Sequence, residues 1–73
     1  MSDFGVVLLP STAAALRSEK VLQQANLQIR LIPVPRELSS NCGIAVRFTW
    51  VDRDDVEAAL ARAQVDYEAI LPL

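Results

Sequence analysis

A ferredoxin-like α+β sandwich, βαββαβ with a four-stranded antiparallel sheet and two helices on one face, is the fold this sequence predicts. Three observations predict it: an apolar, β-branched run opens the chain, two segments carry helical periodicity, and two alternating apolar/polar segments lie between them. With a last apolar segment closing the chain, the first and third strands are expected at the centre of the sheet.

Residues 4–9 are continuously apolar and bounded by Pro10-Ser11-Thr12, the pattern of a strand buried on both faces that runs into a helix start. The helix predicted over 12–26 sets Ala14, Ala15, Ser18, Val21, Leu22 and Ala25 on one side and Arg17, Lys20 and Gln24 on the other, leaves Leu16 off the stripe, and has Asn26 suited to its C-terminus. In residues 27–34, Ile29 and Leu31 alternate with Gln28 and Arg30. This reads as a second strand, and Pro33 and Pro35 put it at an edge. Ile44, Val46 and Phe48 alternate with Ala45, Arg47 and Thr49 in the period-two pattern of a half-buried third strand. Asp52-Arg53-Asp54-Asp55 then opens a helix whose carboxylates offset its dipole and can satisfy free N–H groups, with Val56, Ala59, Leu60 and Ala63 at i, i+3, i+4 and i+7. The last strand is expected at about 67–71.

Seventy-three residues support one domain, 1–73, with a small core. Only four residues are Phe, Trp or Tyr, so Val, Leu, Ile and Ala must fill that core. One cysteine cannot form an intrachain disulfide, and without histidine the chain has too few soft ligands for a zinc site, so neither metal nor cofactor is expected. Nine acidic and seven basic side chains alternate without a basic run, which disfavours nucleic acid as a partner. The start Met1-Ser2-Asp3-Phe4 lacks a basic leader and no apolar stretch is long enough for a bilayer; a soluble, cytoplasmic protein that does not engage a membrane is expected. Both helices on one face leave the other sheet face bare. Ile32, Val34 and Ala45 would then line a homodimer or a partner interface.

Chemistry concentrates around the sole thiol, Cys42, which sits in a Pro/Arg/Ser/Gly-dense stretch at 33–47. Ser39, Ser40, Asn41 and Gly43 are loop formers, so Cys42 is expected at a turn or a strand start. Arg36 and Arg47 can approach from either side, and nearby positive charge favours the nucleophilic thiolate. Backbone N–H groups at 40–43, if they converge, would stabilise the same anion. A cysteine–histidine pair is not available and no carboxylate pair is spaced for acid–base work, Glu37 being the nearest base; a complete hydrolytic site is not expected.

The chain resembles a family of small bacterial selenium/sulfur carrier-like domains. The resemblance rests on Pro10-Ser11-Thr12 with Ala15-Leu16 and Glu19-Lys20, on the run from Val34-Pro35-Arg36 through Ser39-Ser40-Asn41-Cys42-Gly43, and on Ala45-Val46-Arg47-Phe48. It implies Cys42 as the carrying residue, with Arg36, Ser39, Ser40, Gly43 and Arg47 around it, and sulfur or selenium donor and acceptor proteins as partners. The chain is then at most a carrier or sulfurtransferase-like component. A second class of function stands beside it: a non-catalytic regulatory or assembly module that binds a partner or a small anion.

Overall fold

A computed structural model of the chain describes residues 3–38 and 43–73. The elements run β1 (Phe4–Leu8), α1 (Thr12–Gln24), β2 (Ile29–Pro33), β3 (Ile44–Thr49), a 3-10 turn (Trp50–Asp52), α2 (Arg53–Arg62) and β4 (Ala69–Pro72). The sheet order is β2-β3-β1-β4 with every neighbouring pair antiparallel, the ferredoxin-like arrangement expected. β1 and β3 are central, and proline-bearing β2 is an edge. No helix among the described residues is long and apolar enough to cross a membrane.

One face of the sheet meets both helices. Val7, Val46 and Phe48 point into a core completed by Leu9, Ala15 and Leu22 from the α1 side and by Val56, Leu60 and Val65 from the α2 side. Leu16, off the predicted stripe, is half exposed as expected. Ser18 is fully buried there, and its hydroxyl donates to the Ala14 carbonyl at 2.8 Å, so a polar group sits in the core without an unmet hydrogen bond. Phe48 stacks on Trp50 at 5.9 Å between ring centroids. Gly5 makes that stack possible, since a Cβ there would come within 2.5 Å of both Phe48 and Trp50.

The helix ends share one device. The Ser11 hydroxyl accepts from the Ala14 N–H to cap the start of α1. At its far end Asn26 adopts φ 63°, its N–H donates to the Gln23 carbonyl and the Leu27 N–H to the Leu22 carbonyl. α2 ends the same way: Gln64 has φ 56°, its N–H donates to the Ala61 carbonyl and the Val65 N–H to the Leu60 carbonyl. These are paired Schellman stops, each placing an apolar residue after the helix over one in its last turn. They end α1 before Ala25, which is exposed rather than part of the buried stripe, and delay β2 to Ile29. At the start of α2, Asp52 makes no side-chain cap bond; the 3-10 turn intervenes, and the Arg53 N–H donates to the Trp50 carbonyl. Arg17 on α1 donates from its guanidinium to the Ala63 carbonyl at 2.7 Å, joining one helix to the end of the other.

The second face is not bare. Val6 and Ala45 have no exposed surface and Leu8 has 6%, because Val34 and Leu38 from the β2–β3 connection pack over them beside Ile32, Ala69 and Leu71. Residues 34–38 thus form a strap across the sheet, reaching from edge strand β2 to the opposite edge, where Pro35, Glu37 and Leu38 share a hollow with Pro72 and Leu73. Ala45, expected at an interface with another chain, is covered by its own chain instead.

Candidate functional site

The residues on either side of the segment that carries the thiol are fixed by backbone hydrogen bonds. The Val34 N–H donates to the Gly43 carbonyl at 3.1 Å, which extends the β2–β3 ladder one step beyond the Pro33–Ile44 pair. Pro35 has no N–H to continue the ladder, and the chain turns: the Leu38 N–H donates to the Pro35 carbonyl at 3.0 Å. Arg36 and Glu37 occupy the middle of that turn with their side chains exposed, while Leu38 is set down on the sheet. Gly43 has φ +73°, a conformation that a side chain disfavours, although nothing lies within 4 Å of where its Cβ would stand. Glycine is therefore required by the backbone rather than by crowding.

Of the residues singled out in the sequence, Ser39, Ser40 and Cys42 lie outside the described residues, as does Asn41. Arg36 and Gly43 belong to the ends of the loop. Arg47 stands four positions along β3 from Gly43, a separation of about 13 Å in extended chain. Its guanidinium carbon is 4.4 Å from the Phe4 ring centroid, and Phe4 pairs with Thr49, so the side chain leans along β3 away from Gly43. The sheet register brings Arg47 together with Arg30, its direct partner on β2.

Arg30 is the residue that sequence reasoning passed over. The alternation of residues 27–34 placed it on a strand, but only the β2–β3 register puts it opposite Arg47. Among the described residues no group of three or more cysteine, histidine or acidic side chains could hold a metal ion.

The family described as "Putative Se/S carrier protein-like" matches residues 4–72 of the chain. No curated protein and no solved structure matches it.

Proposed function

The chain belongs to the Se/S carrier-like family, and from that premise we propose that it carries sulfur or selenium on Cys42 between a donor and an acceptor protein. The observation that carries the reading is the family match over nearly the whole of a chain that has a single thiol. The Cys42 thiolate attacks the outer sulfur of a donor persulfide, R–S–SH; the donor's S–S bond breaks, R–S⁻ leaves with the electron pair, and Cys42 holds S–SH. A selenosulfide donor, R–S–SeH, gives the corresponding S–SeH. Attack on that outer atom by an acceptor nucleophile returns Cys42 as thiolate, so no external oxidant or reductant is needed.

Arg36, Ser39, Ser40, Gly43 and Arg47 are assigned to the anion. Arg36 is the cation of the loop itself, in an exposed turn two residues before Leu38, whereas Arg47, farther along β3 and turned toward Phe4, adds only a screened long-range field. Gly43 supplies a backbone N–H next to the thiol. The strap supports this reading by closing the apolar face under Val34 and Leu38, so that a donor or acceptor protein meets the exposed Arg36-Glu37 turn rather than a greasy sheet. A second copy of the chain, the other proposed partner, has to use what the strap leaves outside.

Intact mass after incubation with a small-molecule persulfide is the test. A sulfur-sized adduct that reductant removes, and that Cys42→Ala never shows, supports the carrier. Absence of an adduct from persulfide and selenosulfide donors alike overturns it in favour of a non-catalytic module.

A further inference from the structure

The uncovered half of the second sheet face carries a cluster of a different kind. Arg30 and Arg47 are direct cross-strand partners, and each alternates with residues that pack into the helix-side core: Ile29 and Leu31 on one strand, Val46 and Phe48 on the other. Both guanidinium-bearing chains therefore rise from the same surface, opposite the helices. Like charges directly opposed on neighbouring strands destabilise a sheet. In this chain the repulsion could have been relieved internally, because acidic side chains outnumber basic ones, nine to seven. Among the described residues the ion pairs of Arg53 with Asp54 and with Glu57 lie on α2 and involve neither arginine.

The two arginines open on a pocket of about 210 Å³ that Phe4, Gln28 and Thr49 also line. The volume suits a ligand of a few heavy atoms. Two guanidinium forks match the oxygens of a tetrahedral oxyanion, the Thr49 hydroxyl and the Gln28 amide can donate alongside them, and the Phe4 ring under Arg47 holds one fork in place before anything binds. We propose that Arg30 and Arg47, with Thr49 and Gln28, form a binding site for a compact oxyanion of the phosphate class, separate from the strap-covered half of the face.

The experiment titrates inorganic phosphate into the full-length chain at constant ionic strength, with chloride as the balancing ion, and follows the arginine Nε–H and backbone amide resonances. Saturable shifts confined to Arg30, Arg47, Thr49 and their neighbours are expected. Arg30→Gln and Arg47→Gln should each weaken binding about tenfold or more, the loss expected for a charge-assisted hydrogen bond, and Arg62→Gln should not. Phenyl phosphate as a second probe separates free phosphate from a phosphoryl group on an organic body: tighter binding than phosphate, with shifts at Phe4, identifies the latter.

A structural role gives the opposite sign in one measurement. If the pair awaits an anion, Arg30→Gln in phosphate-free buffer melts no lower than the native chain, and the rise in melting temperature that phosphate causes in the native chain is lost. A lower melting point in phosphate-free buffer, shifts that chloride reproduces, or undiminished binding in both glutamine variants overturns the proposal. Cys42→Ala leaves every one of these readouts in place, so the outcome is independent of the carrier reading.

Discussion

The two faces of the sheet bury the same strand by different means. On one, Val7 is covered by two helices, each closed by a Schellman stop and tied together by Arg17. On the other, Val6 and Leu8 are covered by a strap whose anchors are Val34 and Leu38, one turn and one ladder bond to Gly43. Equal burial thus conceals unequal cost of opening: lifting a helix breaks the main core, whereas lifting the strap uncovers only the smaller cluster of Val6, Leu8 and Ala45. The weaker cover also leads in sequence directly into the segment that carries Cys42, on which the proposed carrier role rests.

Truncation on each face measures that inequality. Phe48→Ala should cost about 3–5 kcal/mol in urea unfolding, the range for a large buried aromatic and a large part of the stability of a domain this small. Gly5→Ala tests the same face from beneath; with Phe48 and Trp50 both in the way of a Cβ, a loss of about 1–3 kcal/mol is expected, together with a changed tryptophan fluorescence. Leu38→Ala on the strap should cost about 1 kcal/mol, because the side chain is only half-buried, but should raise binding of an apolar dye as Val6 and Leu8 become accessible. A Leu38→Ala loss as large as that of Phe48→Ala would make the two covers equivalent and remove the contrast.

The thiol reports on the strap by its chemistry. Alkylation of Cys42 near neutral pH should slow in Arg36→Gln more than in Arg47→Gln, since Arg36 belongs to the loop while Arg47 stacks on Phe4, and added salt should narrow the difference. Equal slowing would show that the Arg47 charge reaches the thiol as effectively as that of Arg36. The smallest effects belong to the helix stops: Asn26→Gly and Gln64→Gly each remove a side chain from a left-handed residue, and each should stabilise by about 0.5–1 kcal/mol, more for Gln64 because asparagine tolerates that conformation better.

Much of the architecture was legible because single residues carried it. Unbroken apolarity at residues 4–9 required cover on both sides and hence a central strand, Pro33 and Pro35 required an edge, and the stripe from Ala15 through Ser18 to Leu22 required one helical face. What covers the second side was hidden, because Val34 and Leu38 are too few to make a period and their partners Val6, Leu8 and Ala45 are distant in sequence. The same limit hid the pairing of Arg30 with Arg47, which depends on strand register. The 3-10 turn at Trp50–Asp52 was hidden because its last residue, Asp52, also opens the acidic run that marks the start of α2.

The bond from Arg17 to the Ala63 carbonyl has a kinetic meaning. It joins positions 46 apart, and it can close only after both βαβ halves have docked on the shared sheet. A contact of such sequence separation is expected to form after the folding barrier, in which case its loss falls on one limb of the kinetics. In stopped-flow measurements Arg17→Gln should speed unfolding while leaving refolding nearly unchanged, which makes this one guanidinium a latch on how long the folded chain lasts rather than on how quickly it forms.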